Sequence, residues 1–349
     1  MESETKISIK NLYKIFGKNP SDMINHVQNG ISKKELLENH GSVLALNNVN
    51  IDIPSQGIQV IMGLSGSGKS TLIRHVNRLI EPTSGEIIVD GQNVLEMDKN
   101  QLREFRRHTA SMVFQKFALL PHHTILENVS YGLTIQNIPK SEASERSQQW
   151  IEKVGLTGYE NHYPSQLSGG MQQRVGLARA LATDAEILLM DEAFSALDPL
   201  IRTDMQDILL DLQEELHKTI LFITHDLDEA LRIGENIAIL RDGLVVQKGN
   251  PQEIILNPAD KYVTDFIKDI NRGRVLKVSS IMESKKLKNG PEIDRNTILE
   301  DALQIISKSG SKSAVVTKDG ESVGSVEITR MIDAIVRPDK TSEEASNYH

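Results

Sequence analysis

Between Lys6 and Leu12, apolar and polar positions alternate loosely, Ile7 and Ile9 against Ser8 and Lys10, which predicts a strand with one buried face. A polar interruption follows from Gly17 to Gly41. Within it, Ser32 and Glu35 stand three apart just before Leu36 and Leu37, the spacing of a capping box that opens a short helix. Strand patterning resumes over Val43–Ile53. It is strongest at Ile58-Gln59-Val60-Ile61-Met62, an apolar β-branched run bounded by Gly57 and Gly63, as expected of a strand buried on both faces. Further strands are predicted over Gly85–Asp90 and Ser111–Phe114. Helices are predicted over Lys140–Val154, with Pro139 at its start, and over Gly170–Ala182. The apolar strand Ile187–Met190, the helix Ile201–Leu216 and the strand Thr219–Ile223 complete the alternation. Strands and helices taking turns over this length predict an α/β domain around a largely parallel sheet. Gly249-Asn250-Pro251 and Asn257-Pro258 punctuate its end.

Composition narrows the classes open to such a fold. The 349 residues include no cysteine, which excludes a disulfide framework, thiolate metal sites and a cysteine nucleophile, and fits a reducing compartment. With 39 basic and 48 acidic side chains the formal net charge is −9, which argues against nucleic acid as the main partner. No apolar run approaches the roughly 18 residues that span a bilayer, and the first residues lack the apolar stretch of a signal peptide. A soluble cytosolic chain is expected. Residues 272–288 break the acidic trend, with Arg272, Arg274, Lys277, Lys285, Lys286 and Lys288 against Glu283 alone. A solvated linker and a contact with anionic lipid both remain open for this segment. A compact pattern occupies 278–337, and the polar stretch 338–349 is expected to be disordered.

Chemistry enters at Gly63-Leu64-Ser65-Gly66-Ser67-Gly68-Lys69-Ser70-Thr71, directly after the most apolar strand. Leu72, Ile73, Val76 and Leu79 then follow at helical spacing. In this strand–loop–helix context the pattern G-x-x-x-x-G-K-[ST] is a phosphate cradle. Small residues let backbone N–H groups wrap the phosphates, and the helix N-terminus adds its dipole. Lys69 is expected to reach the β- and γ-phosphates and the Ser70 hydroxyl to ligate Mg²⁺. A second apolar strand ends in Asp191-Glu192, at the sheet edge where α/β folds bind ligands. There Asp191 is expected to hold Mg²⁺ and Glu192 to act as general base toward the attacking water.

Phosphate cradles serve kinases, GTPases, helicases and transport ATPases alike. Leu167-Ser168-Gly169-Gly170-Met171-Gln172-Gln173-Arg174 separates these. It closely resembles the signature of ABC ATPases, and physically Ser168 and the glycines open a helix whose free N–H groups suit a phosphate. The resemblance implies a P-loop NTPase fold of the ABC ATPase type with a helical subdomain at about 116–182. It also implies a head-to-tail homodimer with two sandwiched ATP molecules, in which Ser168, Gly169, Gly170, Gln172 and the D-loop Asp198 contact the partner's nucleotide. Gln115 matches the glutamine that senses Mg²⁺ and the γ-phosphate, Ser195-Ala196-Leu197-Asp198 the D-loop, and His225 the switch histidine. Phe16 matches the aromatic that stacks on adenine, with Tyr13 as the competing ring.

No coiled-coil insertion of the repair type and no second cassette of the translation type is present. Lys116-Phe117-Ala118-Leu119-Leu120-Pro121-His122 is an apolar stretch in a loop region, and exposed apolar patches mark partner sites. By resemblance to transport ATPases, Phe117, Leu119 and Leu120 are expected to meet a membrane permease. Tyr13-Lys14-Ile15-Phe16-Gly17, the inserted segment 18–42, Asn77-Arg-Leu-Ile-Glu-Pro82 and Met190-Asp-Glu-Ala-Phe-Ser-Ala-Leu-Asp-Pro-Leu-Ile-Arg202 are similar to glycine betaine/proline importer ATPases. That family implies an ATPase domain over 1–271, a separate permease, an external solute-binding protein, and a peripheral place on the cytoplasmic face of the plasma (inner) membrane. Residues 278–337 resemble a single α+β CBS module, from Val278-Ser-Ser-Ile-Met282 through Thr297-Ile-Leu-Glu-Asp-Ala302 to Gly324-Ser-Val-Glu-Ile-Thr329. A cytosolic nucleotide-dependent regulator with this module as its sensor is the alternative function.

Overall fold

The computed structural model describes residues 4–115, 117–285, 287 and 289–336, and the chain divides into two compact units, Met1–Lys248 and Gly249–His349. Lys116, Lys286, Lys288 and the polar stretch 338–349 lie outside the described residues.

The first unit is built on two sheets. Strands β1 (Thr5–Phe16), β2 (Val43–Pro54), β4 (Ser84–Val89) and β5 (Gln92–Asn93) form an antiparallel sheet in the order β2-β1-β4-β5. Strands β3 (Ile58–Met62), β6 (Ala110–Val113), β7 (Ile187–Asp191), β8 (Thr219–Thr224), β9 (Asn236–Arg241) and β10 (Leu244–Gly249) form the second, in the order β10-β9-β3-β8-β7-β6. From β9 to β6 every pairing is parallel. Each residue of β3, β7 and β8 is buried, which is why these strands read as mostly apolar runs, with Gln59, Asp191, Thr219 and Thr224 as their buried polar positions. The helix Lys69–Val76 sits between the sheets: its Leu72, Ile73 and Val76 share one core with Ile7 and Ile9 of β1 and with Leu189 and Leu221 of the parallel sheet.

β1 continues four residues past its expected end. Asn11 adopts a left-handed φ of 47° and the pairing with β2 shifts there, so the alternation breaks at a bulge and then resumes. With period two thereafter, Leu12, Lys14 and Phe16 share one face and Tyr13 and Ile15 the other. The inserted segment covers the second face. Its helices Ile24–Gln28 and Lys33–His40 bury Val27 and Leu36 against Tyr13, Ile15 and Leu44. The expected capping box is present, with Ser32 Oγ accepting from Glu35 N at 3.1 Å and Glu35 Oε2 from Ser32 N at 3.0 Å.

A separate apolar core unites three helices, Ile125–Ile135, Lys140–Lys153 and Gly169–Ala182, through Val129, Leu133, Ile151, Val175 and Ala178.

The second unit begins at Gly249, earlier than the domain end expected at 271. Its short helices Pro251–Leu256, Lys261–Phe266 and Arg272–Val275 precede a sheet of β11 (Glu292–Asp294), β12 (Ser313–Lys318) and β13 (Glu321–Glu327). β11 pairs parallel with β12, and β12 antiparallel with β13 across an Asp319-Gly320 turn with φ of 52° and 81°. The helices Leu299–Ser309 and Ile328–Ile335 complete it. The described part of the basic segment 272–288 is not a loose linker, because Leu276 and Val278 are fully buried and anchor the chain between charges.

Candidate nucleotide-binding and hydrolytic site

Four neighbouring parallel strands deliver the predicted residues to one sheet edge. Gly63 follows β3, His225 follows β8, Asp191 ends β7, and Gln115 lies two residues past β6. The registers Met62↔Thr224, Asp191↔Ile223 and Val113↔Met190 keep these ends level, the carboxyl edge where such sheets bind ligands.

The loop Gly63–Gly68 is wound around Lys69, whose ammonium donates to the carbonyls of Gly63 at 2.8 Å and Leu64 at 3.0 Å. Its winding requires glycine: Gly63 and Gly68 have φ of 151° and 105°, and a Cβ would lie 2.2 Å from Leu240 O at the first and 2.6 Å from Ala45 O at the second. Lys69 is buried, and burial holds its pKa below the usual lysine range against the opposing pull of Glu192 and Asp191. Ser70 and Thr71 begin the helix Lys69–Val76, so their N–H groups are among those without an intrahelical partner. Leu64, Ser65 and Gly66 are exposed, and Ser67 is buried with its Oγ lacking a hydrogen-bond partner among the described residues.

Glu192 is the point of convergence. Its Oε2 accepts from Gln115 Nε2 at 3.1 Å and lies 3.4 Å from His225 Nδ1, while Oε1 lies 3.8 Å from Lys69 Nζ. Glu192 stands in the left-handed region at φ 47°, an uncommon conformation for a residue with a side chain. Its backbone is held there by Glu192 N donating to Ile223 O at 3.1 Å and by the Ser195 hydroxyl donating to Glu192 O at 2.9 Å.

Asp191 is 1% exposed, and its Oδ2 accepts from Arg74 Nε at 3.2 Å and Nη2 at 2.9 Å. Its Oδ1 has no hydrogen-bond partner among the described residues. A buried carboxylate oxygen left open, near enough to Lys69 to act on its ammonium, fits the oxygen donors that Mg²⁺ prefers. Arg74 was not legible in the sequence: it is a lone arginine on a half-apolar helix, and only folding brings it to a strand end 117 residues away.

The signature and D-loop residues are not gathered into this cluster. Ser168 and Gly169 are exposed, where Ser168 Oγ accepts from Met171 N at 3.4 Å and Gln172 Nε2 donates to Leu167 O at 3.1 Å. Asp198, also exposed, caps the helix Pro199–Leu216 by accepting from Ile201 N at 3.1 Å.

Phe16 is 42% exposed, whereas Tyr13 is 9% exposed and packed under the insertion. Lys14 Nζ stands 4.7 Å above the Phe16 ring. The stretch around Phe117, Leu119 and Leu120 differs from the exposed apolar patch expected of it. All three are half-buried: Leu119 packs on the helical core, Asn128 binds both N–H and C=O of Leu120, and Arg179 binds the carbonyls of Phe117 and Ala118. Those polar anchors satisfy the loop's backbone and leave its apolar side chains only partly open to solvent.

Residues 46–195 match the family model described as ABC transporter. The glycine betaine transport ATP-binding protein OpuAA of Bacillus subtilis is 54% identical over 84% of this chain and 71% of its own. The glycine betaine/carnitine transport ATP-binding protein GbuA of Listeria monocytogenes is 48% identical over 98% and 85%, and the trimethylamine N-oxide transport system ATP-binding protein TmoW of Pelagibacter ubique 43% identical over 97% and 99%. A solved dimeric structure of an ATP-binding cassette with ADP and Pi superposes with a TM-score of 0.60 at 34% identity, over 70% of this chain and 98% of that one. Fold, sheet-edge cluster and these similarities together show that the chain belongs to the ABC transporter ATP-binding proteins, in the group that includes the glycine betaine transport ATP-binding proteins.

Proposed function

We propose that this chain is the ATP-hydrolysing subunit of an importer for a quaternary amine or related compatible solute. It works as a head-to-tail homodimer on a separate permease, peripheral to the cytoplasmic face of the plasma (inner) membrane, with an external binding protein presenting the solute. The carrying observation is the meeting of Gln115, His225 and Lys69 on the Glu192 carboxylate. The relatives are named for transport of glycine betaine, carnitine and trimethylamine N-oxide, which favours this reading over a cytosolic regulator. No helix among the described residues is long and apolar enough to cross a membrane, in keeping with a separate permease.

Phe16 stacks on the adenine, and the loop Gly63–Thr71 binds the phosphates through its N–H groups and Lys69. Ser70, Asp191 and Gln115 would hold Mg²⁺, which would supply neutralisation of the charge on the phosphates. Glu192 takes a proton from the attacking water as it adds to the γ-phosphorus and the bond to the ADP oxygen breaks. His225 and Gln115 orient the γ-phosphate and that water. Ser168, Gly169, Gly170, Gln172 and Asp198 complete the partner's site, so two ATP molecules close the dimer and hydrolysis reopens it. Phe117, Leu119 and Leu120 shape the loop that meets the permease. Residues 278–337, described as far as 336, act as a single CBS-like module in this scheme.

The test is ATPase activity of the chain reconstituted with its permease and binding protein, titrated with glycine betaine, carnitine, choline, proline and trimethylamine N-oxide. Stimulation by one of these is expected. Turnover indifferent to all of them would overturn the importer reading.

A further inference from the structure

The helix Pro199–Leu216 lies against the helix Leu227–Ile233 that follows His225. Three polar pairs join them. Arg202 Nη1 donates to Asp226 Oδ2 at 2.7 Å, Gln206 Nε2 to Glu229 Oε1 at 3.1 Å, and Arg232 Nη2 to Asp207 Oδ1 at 2.6 Å. Residues 202 and 206 stand one turn apart on one helix, and the pairs sit on facing sides. Arg202 also reaches back: its Nη2 donates to Leu197 O at 3.3 Å. One guanidinium thus spans from the residue before Asp198 to the residue after His225. Ile201, the next residue toward the N-terminus, abuts the signature, since a methyl group on Gly170 would come within 2.6 Å of Ile201 Cγ2.

We propose that Arg202 is a positioning residue for His225, and that the first turn of the helix Pro199–Leu216 is a mechanical link within one chain. Displacement at the signature enters through Ile201 and reaches the switch histidine through Arg202 and Asp226. The inference rests on the proposed role of His225 at the γ-phosphate. In a head-to-tail dimer a chain's signature serves one ATP and its His225 the other, so the link joins the two sites.

The loop around His225 has its own local bonds, with Asp226 N donating to Thr224 Oγ1 at 3.0 Å and Glu229 N to Asp226 Oδ1 at 3.1 Å. Removing Arg202 therefore cuts the tie and leaves the loop formed. The pair is partly buried, with side chains 27% and 32% exposed, so melting temperature is followed beside kcat to separate lost geometry from lost stability.

The experiment compares full-length wild type, Arg202→Ala, Arg202→Lys, Asp226→Asn, Ile201→Ala and the double variant Ile201→Ala/Arg202→Ala. Arg202→Ala and Asp226→Asn are expected to lower kcat by about tenfold to a hundredfold, as misplaced catalytic groups do, with ATP affinity and melting temperature unchanged. Arg202→Lys recovers part of the loss, because lysine reaches Asp226 without also bonding Leu197. Ile201→Ala lowers kcat less and adds nothing beyond Arg202→Ala, the non-additivity of a shared path. Wild-type kcat in Arg202→Ala overturns the proposal, as does a loss of kcat matched by equal losses of ATP affinity and stability. Additive losses overturn the link through Ile201. If Arg202→Ala does not fold, Asp226→Asn decides alone. Failure of the site reading is visible separately, since Glu192→Gln would then keep its turnover.

Discussion

Gln115 donates its side-chain amide to Glu192 Oε2 at 3.1 Å, although 77 residues separate them. The same oxygen lies 3.4 Å from His225 Nδ1. Glu192 thus faces the groups that would report on the γ-phosphate.

Glu192→Gln keeps the shape of the side chain and removes the base. Turnover is expected to fall by about 10²–10⁴-fold, while ATP binding persists and the dimer accumulates. Steady-state ATPase and size-exclusion with ATP check this. A variant hydrolysing ATP at the wild-type rate would remove Glu192 from the base role.

Arg74→Met strips the partner from a carboxylate that is 1% exposed. An orphaned buried acceptor costs about 1–3 kcal/mol, so urea unfolding should show a loss of that order. Asp191→Asn in the same background should regain most of it. A double variant as unstable as Arg74→Met alone contradicts the pairing.

His75 is fully buried, its Nδ1 donating to the Thr71 carbonyl, and burial pushes its pKa down from 6.5 to about 4. Folding therefore favours the neutral ring, and the unfolded chain binds the extra proton between those values. The stabilisation is fully present above pH 6.5 and is lost as pH falls toward 4. Its size is roughly 3 kcal/mol, from 1.36 kcal/mol per pKa unit. Urea midpoints across pH 4.5–7.5 should slope upward in the wild type and flatten in His75→Gln. Equal slopes in the two proteins would dismiss His75 as the titrating group.

Phe16 and Tyr13 separate ligand binding from stability. Phe16→Ala, at an exposed ring, is expected to raise the KM for ATP with little change in melting temperature. Tyr13→Ala empties part of the core beneath the insertion and should cost about 3–5 kcal/mol, as truncating a buried aromatic does. An unchanged KM in Phe16→Ala removes the stacking role.

Much of this protein was legible residue by residue. The mostly apolar runs Ile58–Met62, Ile187–Met190 and Thr219–Ile223 announced buried strands because a parallel sheet covered on both faces leaves few polar positions, here Gln59 and Thr219. The cradle Gly63–Ser70 and the cap at Ser32 are local, set by φ angles and hydrogen bonds within a few residues, so short patterns reveal them. β1 runs four residues past the end its alternation predicts, because the bulge at Asn11 resets the period. The loop at Phe117–Leu120 was read as exposed because nothing in its own sequence tells of Asn128 and Arg179, which hold its backbone from other elements.

The sequence by itself therefore marked the buried strands β3, β7 and β8, the glycine-rich loop Gly63–Gly68, and Glu192, Gln115 and His225 as candidates for one site. Only the tertiary structure decided that Arg74 occupies one oxygen of Asp191, that Phe16 rather than Tyr13 stays open to solvent, and that helix Pro199–Leu216 binds the segment after His225. The physical reason is the strand order β3-β8-β7-β6. Neighbours in that sheet are distant in the chain, and side chains of low local information meet only when the parallel registers bring their strand ends level.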